Sequence, residues 1–183
     1  MAEKPTLVGE SVLLRPVRAE DAPRLAAVDP ETIRLTGTHR THSVQVLERW
    51  YDSRAGLDDR LDLAIVVGGD DWIGEVVLTD LDPPNLSCGF RILLAGPEFY
   101  GRGLGTEASR LMLAHAFETV GLHRIELEVY TFNPRARRVY EKVGFAYEGT
   151  RRQALYWDGE WVDAHIMAVL ADEWAEHRGH PTR

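Results

Sequence analysis

One stretch, "FYGRGLGTEASRLMLAHAF" from Phe99 to Phe117, constrains this chain more than any other. Gly101, Gly103 and Gly105 stand at alternate positions and run directly into an apolar pattern of helical period. Glycine weakens a helix interior, so glycines at the mouth of a helix indicate a backbone that must approach something closely. The first turn of a helix carries unpaired N–H groups and a partial positive charge, and both favour a phosphate. The chain is therefore expected to present a glycine loop and helix N-terminus to a phosphate-bearing ligand.

The loop itself narrows the ligand. A P-loop needs Lys and then Ser or Thr after its last glycine, whereas Gly105 is followed by Thr106 and Glu107. A dinucleotide fingerprint needs Gly-x-Gly-x-x-Gly after the first strand of a parallel sheet. Here the spacing is Gly-x-Gly-x-Gly, and the loop follows an apparent antiparallel meander. Glu126 and Glu128 stand at a tolerable distance for a ribose-binding acid, which keeps that alternative open.

Composition excludes other classes. The formal net charge is −8 with no block of Lys and Arg, which disfavours nucleic-acid binding. No apolar stretch is long enough to cross a bilayer, and "MAEKPTLVGE" lacks the apolar core of a signal peptide. A cytoplasmic location is expected. Cys88 is the single cysteine, read as a small buried hydrophobe, so no disulfide and no cysteine-based zinc site is expected. His39 and His42 lack a third ligand and are read as loop or cap residues, so no metal is expected.

Along the chain, "SVLLRPV" reads as a strand, "AEDAPRLAAV" as a short helix, and residues 29–42 as a loop with helical fragments. A second helix, "SVQVLERWYDSRAG", precedes a meander of "LDLAIVV", "WIGEVVLTDL" and "LSCGFRILL". The glycine loop opens a helix with Leu104, Ala108, Leu111, Met112 and Phe117 on one stripe, ended by Gly121. "HRIELEVY" alternates apolar and acidic residues as a strand does. In "NPRARRVYEKVGF", Asn133 suits an N-cap, Pro134 the first helical position and Gly144 the end. A hairpin turning at Asp158-Gly159 closes the pattern, followed by a short helix and a tail frayed from residue 175. With no repeat and no linker, the chain reads as one α/β domain with its core over about residues 9–174.

"GRGLGTEA" with its helix, "NPRARRVYEKVGF", and "EGTRR…WDGEWVDAHIMAVL" together resemble the GNAT superfamily of acetyl-CoA-dependent N-acetyltransferases. The similarity is greatest to the branch that contains the ribosomal-protein alanine N-acetyltransferases. The resemblance implies an α+β fold with a mixed central sheet of about seven strands: an antiparallel meander, then β-α-β-α and a closing hairpin. It implies acetyl-CoA as co-substrate and a primary amine as acceptor, either a protein N-terminus or a small amine such as a polyamine or aminoglycoside. Direct attack in a ternary complex is expected, since no thiol is placed for a covalent intermediate. A homodimer is compatible with this pattern, and a non-catalytic acyl-CoA-binding module is the alternative from another class.

Site residues follow from the same resemblance. Tyr100, Gly101, Arg102, Gly103, Leu104, Gly105 and Thr106 would form the pyrophosphate loop, with Arg102 adding a charged contact. Tyr100 stands where the family usually has Gln or Arg. Backbone at Ile92, Leu93 and Leu94 would supply the oxyanion donor and line the cofactor. Asn133 would cap its helix and touch the pantetheine arm, and Arg137 would contact the cofactor. Tyr140, on the buried side of its helix with Ala136, Val139 and Val143, would protonate the departing thiolate.

The base is less settled. Many relatives carry a glutamate near the start of the strand before the glycine loop, where this chain has Ser87, Cys88 and Gly89. Glu128 lies five residues before Asn133 and twelve before Tyr140, the spacing of the catalytic glutamate in the alanine-acetylating relatives. Glu75 is the second option, and a water-relayed mechanism the third. Glu31 and Asp158 are candidates for holding a cationic acceptor.

Overall fold

A computed structural model describes residues 4–54 and 56–178 of the chain. Eight strands form one mixed sheet: β1 (Leu7–Val8), β2 (Leu13–Pro16), β3 (Leu61–Val67), β4 (Asp71–Asp82), β5 (Ser87–Leu94), β6 (Arg124–Tyr130), β7 (Ala146–Trp157) and β8 (Glu160–Leu170). Their order across the sheet is β1-β2-β3-β4-β5-β6-β8-β7. Six α-helices accompany them among the described residues: α1 (Ala22–Ala26), α2 (Pro30–Leu35), α3 (Val44–Arg54), α4 (Leu104–Ala114), α5 (Pro134–Lys142) and α6 (Ala171–His177).

The expected fold class is observed, with one strand more than the seven expected. The extra strand, β1, is two residues long, too short to carry any periodicity in sequence. At the other end, α6 runs to His177, beyond the point where fraying was expected. Trp174 anchors it, buried and stacked on Phe117 at 6.0 Å. The rest of the expected tail, residues 179–183, lies outside the described residues.

Local chemistry explains the elements that matter here. The Asn133 side chain accepts from the Ala136 N–H at 3.1 Å, and Pro134 starts α5 without an amide to satisfy. Asp158 and Gly159 both take positive φ, 48° and 88°, as a two-residue hairpin turn with the sheet's twist requires. Leu104, Met112 and Leu113 of α4 are buried against the sheet, each contributing about 1.5–3 kcal/mol.

The two faces of the sheet differ. Val76, Leu78, Phe90, Ile125, Leu127 and Val129 point into the core under α4, α5 and α6. Alternation then turns Glu75, Val77, Arg91, Glu128 and Tyr130 to the opposite face, where α1, α2 and α3 pack. The two halves of the sheet meet at β5 and β6, the one parallel pair among the described strands. They are in register only at Ser87–Arg124, Cys88–Ile125 and Gly89–Glu126. Beyond Gly89 the strands splay, leaving the β5 backbone from Phe90 to Leu94 without a strand partner on that side.

Candidate active site

The splay opens a cavity of about 480 Å³ that reaches both faces of the sheet. On the α4–α5 side its walls include Gly101, Gly103, Thr106, Asn133, Val139 and Tyr140. On the other side they include Trp50, Arg60, Glu75, Arg91, Glu128 and Tyr130. One compartment thus offers two mouths, joined through the gap between β5 and β6.

The glycine loop forms the first mouth. Gly103 is the N-cap of α4 with φ 82°, and Gly101 has φ 70°, the left-handed conformation that glycine adopts without strain. A Cβ built on either meets nothing within 4 Å, so the backbone faces open space at the helix N-terminus. That open cradle of N–H groups fits a pyrophosphate.

Tyr100, Gly101, Gly103, Leu104, Gly105 and Thr106 all line the cavity, as do Ile92, Leu93, Leu94 and Asn133. Arg102 and Arg137 do not. Arg102 is exposed on the loop, and Arg137 is paired with Glu141 at 2.9 Å along its own helix. The turn of α5 instead directs Arg135 and Arg138 to the cavity. Arg135 stacks on the Tyr100 ring with its guanidinium carbon 3.7 Å from the centroid. A guanidinium therefore reaches the loop through Tyr100, although Tyr100 itself carries no charge. The Tyr100 hydroxyl is fixed in turn by Thr32, whose hydroxyl donates to the Leu94 carbonyl at 2.9 Å. Nothing in the local sequence marks Arg135 above Arg137; the signal is its pairing with an aromatic far away in the chain.

Tyr140 is buried, with Phe90 edge-on at 6.2 Å and Phe145 at 5.9 Å. Among the described residues its hydroxyl has no hydrogen-bond partner. Burial pushes its pKa up to about 12, with Arg91 pulling the other way, so the phenol remains protonated at neutral pH.

Glu75 is the buried carboxylate of the cavity, 7% exposed. The Tyr51 hydroxyl of α3 donates to its Oε2 at 2.9 Å. Burial pushes the Glu75 carboxyl up to about 7, against the downward pull of the Tyr51 hydrogen bond and of Arg91 and Arg60. Glu128 also lines the cavity, but it is ion-paired with Arg151 from β7. Glu31 is held by Arg34 through two contacts of 2.8 Å, and neither Glu31 nor Asp158 lines the cavity. Cys88 sits in the core, where burial pushes its thiol up to about 12, a poor nucleophile. Sequence reasoning missed Tyr51 altogether, because a core tyrosine on an amphipathic helix has no distinguishing local mark.

A parallel pair that splays beside a glycine-capped helix, with a buried carboxyl and a buried phenol lining the gap, is a geometry suited to acyl transfer. Residues 11–146 match the family model described as "Acetyltransferase (GNAT) domain", and the chain belongs to that family. It is an N-acetyltransferase, an enzyme that passes an acetyl group from acetyl-CoA to an amine.

It is 29% identical to the probable N-acetyltransferase YjcK of Bacillus subtilis, over 90% of this chain and 96% of the relative. It is 27% identical to the spermidine N(1)-acetyltransferase of Escherichia coli K12, over 92% and 91%. In fold it is similar to a spermidine N-acetyltransferase from Vibrio cholerae solved with CoA and spermine. That likeness has a TM-score of 0.83 and 22% identity, and covers 91% of this chain and 99% of that one.

Proposed function

We propose that acetyl-CoA enters from the α4–α5 face and the acceptor amine from the α1–α3 face, with reaction in the gap between β5 and β6. The Gly101–Thr106 backbone holds the pyrophosphate, and Arg135, stacked on Tyr100, neutralises it further. The β5 backbone from Ile92 to Leu94, paired with β4 but open on its β6 side, offers N–H groups there to the charge that develops on the acetyl oxygen. Asn133 orders the start of α5 and so sets the position of Tyr140.

Glu75 is the general base and Tyr140 the general acid in this reading. The carrying observation is the burial of Glu75 in the same cavity as Tyr140, with its carboxyl pushed up to about 7. A base with that affinity accepts a proton from an ammonium near neutral pH far better than an exposed carboxylate does. Glu128 is a weaker candidate, since accepting a proton would break its ion pair with Arg151. Tyr140, which burial keeps protonated at neutral pH, holds the hydroxyl that can hydrogen-bond to sulfur and pass it a proton as negative charge develops while the C–S bond breaks.

The whole chain is read as one catalytic unit acting in the cytoplasm, which its free cysteine and its bacterial relatives support. Thiol release from acetyl-CoA across an amine panel, with wild type, Glu75→Gln and Glu128→Gln, tests the assignment. Glu75→Gln should lose about 10²–10⁴-fold in kcat/KM at pH 7 and Glu128→Gln much less. The reverse ranking would move the base to Glu128.

A further inference from the structure

The acceptor side of the cavity holds two arginine or glutamate charges with opposite-charge partners and two that are left over. Arg60 is neutralised by Asp62, through contacts of 2.7 and 2.6 Å. Glu128 is neutralised by Arg151. Arg91 also lines the cavity, yet among the described residues its side chain makes no hydrogen bond, ion pair or ring contact. The other group without an opposite-charge ion pair is Glu75, whose one hydrogen bond comes from a neutral phenol.

Register places these two groups together. Glu75 pairs with Leu93 and Val77 with Arg91, so Glu75 and Arg91 are diagonal neighbours on one face of adjacent strands. Such neighbours lie about 7–8 Å apart, a distance that both side chains can reduce. Arg91 sits one residue beyond the last core residue of β5, Phe90, where the strand has left its partner β6. The splay thus exposes a fixed cation beside a base that must receive a proton from an amine.

A purely cationic acceptor meets repulsion at Arg91, and a carboxylate meets an unshared guanidinium that matches its two oxygens. We infer that the acceptor is a small amine carrying its own carboxylate, an amino acid in the broad sense, with the carboxylate on Arg91 and the amine at Glu75. This rests on the assignment of Glu75 as base. The balance of the step is ordinary acyl transfer. The amine nitrogen forms a bond to the acetyl carbon, the C–S bond breaks, the amine proton passes to Glu75, and Tyr140 gives a proton to sulfur. Arg91 only holds the acceptor and exchanges no proton.

The test measures thiol release with paired acceptors, each an amino acid and the amine left after loss of its carboxylate: lysine and cadaverine, phenylalanine and phenethylamine, alanine and ethylamine. Spermidine serves as a polycation without any carboxylate. Wild type should prefer at least one amino acid over its decarboxylated counterpart by about tenfold to a hundredfold in kcat/KM, the range of one charge-assisted contact. Arg91→Gln should bring that ratio to near one by raising KM for the amino acid, and Arg91→Lys should recover part of it.

Calorimetry with CoA shows in parallel that each variant is folded and loaded. Preference for spermidine or the decarboxylated amines, or a ratio unmoved by Arg91→Gln, overturns the inference while leaving CoA binding and the base intact. Absence of both turnover and calorimetric binding for every amino acid tested, with CoA bound, overturns it as well. If Glu75→Gln retains full activity on the preferred acceptor, it is the underlying base assignment that fails.

Discussion

The hydroxyl of Tyr51 on α3 donates to Glu75 on β4 at 2.9 Å, twenty-four residues apart in sequence and beneath the helices of the α1–α3 face. Burial raises the Glu75 carboxyl and this hydrogen bond restrains the rise, because the phenol stabilises the ionised form. Tyr51→Phe removes the restraint. The acidic limb of kcat/KM, expected near pH 7 in wild type, should shift to higher pH in this variant. Activity at high pH should be largely kept, since the carboxylate itself remains. A limb that does not move in a pH–rate profile would separate Tyr51 from the base.

Glu75 also ties stability to pH. Its pKa in the folded protein, about 7, exceeds its ordinary value of 4.5. Between those values the folded state binds the proton and the unfolded chain does not, so stability falls as pH rises through the window. At pH 8 the loss is complete, on the order of 3 kcal/mol. Glu75→Gln keeps the volume and an acceptor for Tyr51 without the charge. Its Tm should exceed that of wild type at pH 8, and the difference should shrink towards pH 5. Calorimetric melts at both pH values check this, and a lower Tm at pH 8 would contradict the burial argument.

Tyr140→Phe should separate chemistry from packing. The ring remains among Phe90 and Phe145, and the lost hydroxyl leaves no protein partner unsatisfied. Stability should change by less than about 1 kcal/mol. CoA affinity should change little, while kcat falls about 10²–10⁴-fold. Denaturant melts, calorimetry and single-turnover rates read the three quantities independently.

Gly103→Ala and Gly121→Ala form a matched pair. Both glycines have φ near 80° and both would point a Cβ into open space, but only Gly103 borders the cavity. Each substitution should destabilise by about 1–2 kcal/mol through the left-handed backbone. Only Gly103→Ala should weaken CoA binding, because its methyl enters the space beside the helix N-terminus. Equal CoA affinities in the two variants would remove the loop from the site.

Arg135→Ala should weaken CoA binding about tenfold, and the loss should diminish as salt is raised. Arg137→Ala should leave the affinity within about twofold, since its partner is Glu141 on the same helix. Tyr100→Leu should resemble Arg135→Ala in part, because the guanidinium loses the ring on which it rests. Titration calorimetry at two salt concentrations distinguishes these cases.

The glycine loop, the Asn133 cap, the Asp158-Gly159 turn and the alternation of β6 were all legible in the sequence. Each depends on backbone conformation or on neighbours a few residues away, and residue type alone reports those. The amphipathic stripes of α4 and α5 were legible for the same reason, and Tyr140 could be placed on the buried side of its helix by counting. The two-residue strand β1 was not legible, because a strand that short is held by pairing with β2 rather than by any pattern of its own.

Charge was the part that sequence left open. Glu75 and Glu128 are both strand glutamates facing away from the main core, and nothing local separates them. The packing of α3 buries one beneath Tyr51, while the approach of β7 pairs the other with Arg151. Arg135 and Arg137 likewise differ through a distant tyrosine and a nearby glutamate. The sequence by itself therefore determined the architecture and the glycine loop at the mouth of α4, which rest on short-range backbone preferences. Only the tertiary structure decided which carboxylate is desolvated and which guanidinium is unshared, because a group's proton affinity and pairing depend on whatever distant chain folds against it.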